Sequence, residues 1–284
     1  NPMFIHIFNG IVYGALLIIM CSGLALIYGL RRVVNFAHGS LYMLGAYIGY
    51  SVATQYNFWA ALVLAPLVMA SFGVALDRWG FRLLQDRDPL TVVLVTFGLL
   101  LVLEDFVQSF WGKSNLSLPA PAALASSIDL FGHPVPAYRV AVIVVGAAVA
   151  LGLTLWLRHS RAGLFVRAAS TDPTTTAMQG VNTDALSAFV VGLGTALAGL
   201  AGVVAAPFLS LSPAMSSDVI IDSFVVVVIG GLGSLAGAFI AAMVLGLVQA
   251  LGAVWLPDSS VLLPFVLMVA ILLWKPNGFA GSRT

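Results

Sequence analysis

Long apolar runs separated by short polar segments dominate the chain. Eight runs are candidate membrane helices, and they cover residues 5–30, 41–54, 58–76, 90–111, 140–157, 185–206, 219–255 and 261–274. About 20 apolar helical residues cross the roughly 30 Å hydrocarbon core of a bilayer, because lipid cannot satisfy exposed backbone groups. The pattern therefore predicts an all-α integral membrane protein, a polytopic helical bundle of about eight or nine segments, one or two of them short or broken.

The seventh run is too long for a single crossing. Its residues would extend about 55 Å as one helix, and Gly230, Gly231, Gly233 and Ser234 interrupt its middle. We expect a break there at membrane depth, and in transporters such breaks line substrate sites. Close helix packing is the alternative, since small residues in membrane helices also let two backbones approach.

The positive charges predict the orientation, since Lys and Arg in short loops favour the cytoplasm. Two arginine clusters, at residues 78–87 and 158–167, follow the third and the fifth run. The loop between them, at residues 113–137, carries few charges and is expected outside. The N-terminus is then also outside, whereas Lys275 and Arg283 are inside.

Composition supports the membrane assignment and removes several function classes. Hydrophobic residues make up 61% of the chain and charged residues 8%, against roughly 45–50% and about 25% in soluble domains. A net charge of +1 gives no sign of a nucleic acid partner. The chain has no GxxxxGK[ST] phosphate loop, metal-binding pattern or hydrolase motif. Ionisable residues deep in the runs are nearly missing, which disfavours an ion-driven transporter and indicates that energy arrives from another subunit.

The polar segment at residues 158–184 is the most informative loop. Asp172 is a good N-cap, Pro173 suits the first helical position and Gly180 suits a left-handed C-terminal cap. These signals predict about two helical turns at residues 173–179. So short a helix needs a docking surface, either on the membrane domain or on a partner protein. An ordinary basic loop is the alternative.

The segment Asn35-Phe36-Ala37-His38-Gly39 follows two arginines and is expected at an inner membrane boundary. A lone histidine is more often a hydrogen-bonded structural residue than a ligand or a proton carrier, and neither Cys, Asp nor a second His lies at metal-binding spacing. An intramembrane enzyme centred on His38 is a remote alternative.

Four acidic residues stand near the predicted outer ends of the runs. Glu104 and Asp105 interrupt the fourth run, whereas Asp218 and Asp222 flank the start of the seventh. Acids within a membrane are functional candidates because they are costly there. We expect them to form an acidic outer rim that docks a basic patch of an extracytoplasmic protein. Contact with water or with Arg139 is the alternative.

Three stretches carry a resemblance that spans essentially the whole chain. They read GLALIYGLRRVVNFAHGSLYMLGAY, SRAGLFVRAASTDPTTTAMQGVN and VIGGLGSLAGAFIAAMVLGL, and they begin at Gly23, Ser160 and Val228. In this order and spacing they resemble the branched-chain amino acid ABC permease family of the LivH type.

The resemblance implies that residues 1–284 form one permease domain of an importer for branched-chain or other hydrophobic amino acids. It further implies the plasma membrane of a bacterium or archaeon. Its partners would be a second permease subunit (LivM-like or identical), two ATP-binding cassette ATPases and a soluble binding protein, besides membrane lipid. ATP and Mg would be used by the ATPases, with no cofactor bound by this chain and no enzymatic activity of its own. Similar chains serve importers of urea, short amides and aromatic acids, which stay open here.

The resemblance also assigns roles to residues. The helix at residues 173–179 would be the coupling helix that docks on an ATPase. The coupling residues would be Arg161, Arg167, Asp172, Pro173, Thr174, Thr175, Ala177, Met178 and Gly180. The NFAHG and GGLGS segments are expected to line the solute path of an alternating-access pore. A stand-alone secondary transporter is the lower-ranked alternative.

Overall fold

A computed structural model describes residues 2–280, so Arg283 lies outside the described residues. Within that range the α-helices are α1 (Pro2–Arg31), α2 (His38–Gln55), α3 (Phe58–Leu76), α4 (Pro89–Trp111), α5 (Ala137–His159), α6 (Arg161–Thr171), α7 (Pro173–Met178), α8 (Thr183–Ala205), α9 (Met215–Gly230), α10 (Leu235–Trp255) and α11 (Leu263–Trp274). An antiparallel hairpin of β1 (Ser127–Leu130) and β2 (His133–Pro136) lies between α4 and α5.

Seven segments in the described part of the chain are long and apolar enough to cross a membrane. They are α1, α3, α4, α5, α8, α10 and the segment Pro257–Trp274, which contains α11. The two other long helices, α2 and α9, bring the number of segments to nine. The predicted polytopic helical bundle is therefore confirmed, and the seventh run does divide into two helices, α9 and α10.

Small residues hold the central helices together. α1, α2 and α8 supply much of the buried core, and the backbones of these helices approach closely. A Cβ atom added to Gly45 of α2 would lie 2.3 Å from Cα of Gly199 in α8, and one added to Gly23 of α1 would lie 2.4 Å from the carbonyl oxygen of Gly194. Packing through glycine and alanine is how membrane helices associate without a hydrophobic driving force between them.

One end of the bundle collects arginine side chains, and we call it the basic end. Arg31 at the end of α1 bonds to Asp77 and Gln85, Arg32 donates to the carbonyl oxygen of Ser170 in α6, and Arg82 donates to that of Asp184 in α8. The last described residues also lie here, since the N–H of Phe279 donates to the carbonyl oxygen of Ile229 near the end of α9. The two arginine clusters and the C-terminal segment thus share one end, as the charge pattern predicts.

The opposite end carries the longer loops. Trp111 at the end of α4 donates to Ser51 of α2, and Arg139 at the start of α5 bonds to Asn9 of α1. A pair of backbone hydrogen bonds, 2.9 and 2.8 Å long, joins Leu116 to Leu211. These contacts fix the loop before the hairpin against the loop that precedes α9.

Candidate functional site

The connection between α1 and α2 turns back into the bundle instead of staying at its basic end. His38, the first residue of α2, bonds through Nε2 to the carbonyl oxygen of Met20 at 3.0 Å. Met20 lies eleven residues before Arg31, or about 16 Å along the axis of α1. The N–H of Phe36 likewise donates to Oγ1 of Thr96, about 10 Å inside α4 from its first residue. The expectation of an inner membrane boundary is therefore wrong for this segment, because six non-helical residues are long enough to reach the interior.

Most of the side chains in this connection are packing residues. Asn35 and His38 are fully buried, and Oδ1 of Asn35 accepts a hydrogen bond from the N–H of Ala37. A Cβ atom at Gly39 would lie 2.4 Å from the carbonyl oxygen of Ser216, so α2 and α9 touch through their backbones here. Nδ2 of Asn35 and Nδ1 of His38 have no hydrogen-bond partner within residues 2–280.

Phe36 is the residue of this group that reaches an open surface. Its ring lies 4.8 Å from the ring of Phe224 in α9, and both rings are half-buried. Phe224 belongs to an uncovered stripe on α9, which we call the α9 face, and Phe36 packs beside it. Its members are Ser217, Asp218, Ile221, Phe224 and Val228. The spacing of three and four residues places all five on one side of the helix.

The α9 face is polar at one end and apolar along the rest. Ser217 and Asp218 stand in the first turn, at the end opposite the arginines, and the three later members are apolar. The residues that sequence reasoning missed here are Ile221 and Phe224. Their signal is weak, because apolar residues lie on both the open and the buried side of α9 and no periodicity separates the two sides.

The four acidic residues do not form one rim. Glu104 accepts hydrogen bonds from the hydroxyl groups of Ser216 and Ser217. Asp105 and Asp218 are exposed. Asp222 is only 7% exposed, and it accepts hydrogen bonds from Tyr13 at 2.5 Å and from Gln249 at 2.9 Å.

Asp222 therefore has to be removed from the predicted docking surface. The prediction fails there because Asp222 lies one turn beyond Asp218 and faces α1 and α10 rather than the open side of the helix. The hydrogen bonds from Tyr13 and Gln249 offset the free-energy cost of burying the carboxylate of Asp222. It ties α9 to both neighbouring helices.

The GGLGS segment forms a tight turn at the basic end. Gly231 and Gly233 have φ of +96° and +84°, which favour glycine. A Cβ atom on Gly233 would lie 3.3 Å from Cα of Gly29, two residues before the end of α1. The break between α9 and α10 is confirmed, but its predicted position within the membrane is wrong. Gly230 is buried against Gly237 of α10, which is the close packing that the small-residue pattern allowed.

The polar loop contains the predicted short helix. α7 covers Pro173–Met178, Asp172 caps it by accepting a hydrogen bond from the N–H of Thr175 at 3.0 Å, and Gly180 has a φ of +86°. A hydrogen bond from the hydroxyl group of Thr175, and to a smaller extent one from its N–H, holds the pKa of the Asp172 carboxyl below its usual value. The cap is therefore ionised at neutral pH, where an anion at a helix N-terminus is favourable.

α7 presents most of its surface away from the bundle. Met178 is 79% exposed, and the other exposed members of the predicted coupling set are Arg161, Arg167, Asp172, Pro173, Thr174, Thr175, Ala177 and Gly180. Thr176 is the buried residue of α7, with its hydroxyl donating to the carbonyl oxygen of Asp172. α7 therefore projects from the basic end, with the exposed apolar side chain of Met178 at its tip.

A second helix in this loop, α6, was missed by the sequence analysis. Its buried residues are Gly163, Val166 and Ala169, which recur every three positions, and Ser160 caps it by accepting a hydrogen bond from the N–H of Gly163. Val166 and Ala169 pack in one cluster with Leu26 of α1 and Val190 of α8. The sequence did contain a signal for this helix, namely a serine N-cap followed by small or apolar residues at every third position. α6 thus seats the loop on the central helices.

A buried ion cluster at the basic end was also missed. Asp77 is fully buried, its Oδ1 lies 2.6 Å from Nη2 of Arg31 and accepts a hydrogen bond from Ser187. Nε of Arg82 lies 3.5 Å from the other carboxylate oxygen. The cluster joins the end of α1, the π-helical turn Asp77–Phe81 after α3, and α8. An aspartate directly after an apolar run, followed by arginines, is the signal that could have revealed it.

Known proteins resemble this chain along almost its full length. LivH of Salmonella typhimurium, described as a high-affinity branched-chain amino acid transport system permease protein, is 27% identical over 97% of this chain and 94% of its own length. BraD of Pseudomonas aeruginosa, described in the same way, is 27% identical over 96% and 94%. LivM of Salmonella typhimurium is 26% identical over 92% of this chain and 67% of its own length. No solved structure matches.

A family model supports the same assignment. It is described as the permease component of the branched-chain amino acid transport system, and it matches residues 6–272. With its membrane-spanning helices, the chain is a multi-pass membrane protein. It therefore belongs to the branched-chain amino acid transport system permease family, whose members are transport components and not enzymes.

Proposed function

We propose that this chain is the permease subunit of an ATP-driven importer in the plasma membrane of a bacterium or archaeon. Residues 1–284 would form one transmembrane domain, with the basic end in the cytoplasm and the N-terminus and the hairpin outside. The observation that carries the proposal is α7, a capped helix with an exposed apolar tip at the end where arginines gather. A two-turn helix of this kind is stabilised by docking on a partner.

The proposed partners are a second permease subunit, two ATP-binding cassette ATPases and a soluble solute-binding protein. The second permease would be LivM-like or identical, and the match to LivM as well as LivH supports pairing of two similar chains. ATP and Mg would be bound by the ATPases, because this chain has no phosphate loop. The binding protein would meet the end that carries the hairpin, where Asp105 and Asp218 are exposed acids.

The proposed solute is a branched-chain or other hydrophobic amino acid. The names of LivH and BraD support this class. Urea, short amides and aromatic acids remain candidates of the same importer type. The α9 face is the proposed lining of the solute path, with Phe36 and Phe224 at its middle, because a weakly apolar surface lets the solute leave as readily as it arrives.

Coupling would run from α7 through α6 to the central helices. Arg32 donates to the carbonyl oxygen of Ser170 at 3.1 Å and Arg82 donates to that of Asp184 at 2.9 Å, so one flank of the loop is tied to the end of α1 and the other to the turn after α3. Arg32 also begins the segment that leads to Phe36, and its φ of +55° marks a fixed turn. Movement of α7 by an ATPase would therefore shift the α1–α2 connection. A docking contact that differs between the outward-open and inward-open states would in this way favour one of them.

Substitution of Met178 tests this proposal. Met178→Asp places a charge on the docking tip, and a disrupted central contact of an interface typically costs 2 kcal/mol or more. We expect recovery of the ATPases with the tagged permease to fall by about ten-fold or more. Solute-stimulated ATP hydrolysis by the complex reconstituted with its binding protein should fall with it.

Phe131→Asp is the matched control, since Phe131 is also an exposed apolar residue but lies on the hairpin at the other end. It should leave ATPase recovery unchanged. Unchanged assembly and unchanged stimulated hydrolysis in Met178→Asp would overturn the coupling assignment. Uptake by this chain alone, driven by an ion gradient, would instead establish the secondary transporter.

A further inference from the structure

An open cleft of 510 Å³ lies at the end opposite the arginines, above the α9 face. α4 and the residues after it form one wall, and the start of α9 forms the other. Its polar lining residues are Glu104, Gln108, Lys113, Asn115, Ser212 and Ser217. The backbone bonds between Leu116 and Leu211 hold the two walls together just beside Asn115 and Ser212. The cleft is thus a fixed feature of the fold.

Glu104 lies at the bottom of this cleft. It is about 10 Å along α4 from Trp111, where that helix ends. Hydroxyl groups of Ser216 and Ser217 donate to Oε1, so the carboxylate is held in one place while its second oxygen stays available. Lys113 is exposed on the rim, and among residues 2–280 it forms no ion pair. A fixed anion and a free cation therefore face one small volume.

The apolar surface begins directly below. Ser217 lines the cleft, Ile221 stands one turn further along α9 and is 44% exposed, and Phe224 follows. A molecule that rests in the cleft therefore meets charge of both signs at one end and hydrocarbon at the other. The ligand that matches has an ammonium group, a carboxylate and an apolar side chain on a few atoms.

We propose that this cleft is a receiving site for the zwitterionic head of an α-amino acid. The carboxylate of Glu104 binds the ammonium group, the ammonium group of Lys113 binds the carboxylate, and the side chain lies on Ile221. The site deepens the proposed function and rests on it, since it gives the permease its own contact with the solute. The proposed site assigns Glu104 to the solute instead of to the docking surface that the sequence predicts, whereas Asp105 is exposed outside the cleft.

Three ligands test the two charges separately. The complex of the permease with its partner subunits is held in lipid nanodiscs without binding protein, and ligand contact is measured by saturation-transfer NMR. The probes are L-leucine, 4-methylpentanoate, which lacks the ammonium group, and leucinamide, which lacks the carboxylate. The wild-type complex should prefer leucine to both by about ten-fold, the usual effect of one hydrogen bond to a charged group.

The variants should lose one preference each. Glu104→Gln should bind leucine no better than 4-methylpentanoate, and Lys113→Met should bind leucine no better than leucinamide. Asp129→Asn is the matched control, because it removes an exposed carboxylate of the hairpin at the same end that does not line the cleft, and it should keep the wild-type order.

Other outcomes overturn the proposal. Equal contact by all three ligands in the wild-type complex would do so, as would an unchanged order in Glu104→Gln. If Glu104→Gln weakens capture of the binding protein while the ligand order stays the same, the cleft is a protein docking surface. ATP-driven uptake of solute by the complete system tests the proposed function independently of the cleft. If uptake is observed, the proposed function stands whatever the ligand measurements show. If no uptake is observed, both the proposed function and the receiving site are overturned.

Discussion

At the scale of single residues, Asp77 makes a larger energetic contribution than its place beside a loop would indicate. It is fully buried, and the side chain of Arg31 that faces it is only 9% exposed. Removing one member of a buried ion pair leaves the other charge without compensation, which costs about 3 kcal/mol or more. Asp77→Ala should therefore lower the free energy of unfolding by about that amount, measured by titration with a denaturing detergent in mixed micelles.

Asp86→Ala provides the matched control for this substitution. Asp86 lies nine residues later at the same end and is exposed, so its replacement should change stability by no more than about 0.5 kcal/mol. Equal stability of the two variants would show that solvent already screens Arg31.

Residue-level features were predictable from the sequence where they depend on neighbours in the chain. The Asp172 cap, the Pro173 start and the Gly180 turn are confirmed, because capping is decided within about four residues. The positions of His38 and Asp222 were not predictable. Both depend on which helix packs against them, and hydrophobicity alone does not contain that information.

At the scale of helices, close backbone approach is the feature that a substitution should expose. A Cβ atom on Gly45 would lie 2.3 Å from Cα of Gly199, and no flexible side chain is available to move aside. Overpacking a core typically costs 1–3 kcal/mol. Gly45→Ala should therefore reduce the free energy of unfolding by about 2 kcal/mol.

Gly152→Ala adds the same methyl group to an open site. Gly152 lies in α5, is exposed, and has nothing within 4 Å of an added Cβ atom. Because alanine favours helix by up to about 1 kcal/mol over glycine, this variant should be as stable as the wild type or more stable. Similar losses in both variants would mean that helix α2 does not need its close contact with α8.

Helix lengths were predictable, but helix depths were not. The number of apolar residues gave the spans, and the excess length of the seventh run gave its division into α9 and α10. Nothing in that number places the start of α2 beside Met20 or the GGLGS turn beside Gly29. The predicted site was accordingly right about which segments break and wrong about the depth of both. α6 was overlooked because its three buried positions are small residues rather than large apolar ones.

At the scale of the whole molecule, two kinds of apolar surface have to be told apart. Leu67 of α3 and Ile221 of α9 are 59% and 44% exposed. Lipid would cover the first, and the proposed solute path would bring water to the second. A cysteine thiolate reacts with a charged thiol reagent only where water reaches it. The native Cys21 is fully buried and adds no background.

Cysteine substitution at these two positions is the last prediction. In the assembled transporter, Ile221→Cys should be modified by a membrane-impermeant sulfonate reagent at least about ten-fold faster than Leu67→Cys, because the reactive thiolate is not formed in hydrocarbon. Excess solute should slow the reaction at Ile221→Cys and leave Leu67→Cys unchanged. Equal and slow modification at both positions would mean that the α9 face is covered by lipid or by the second permease. The solute would then have to cross elsewhere, and the polar cleft above Ile221 would lead to no path.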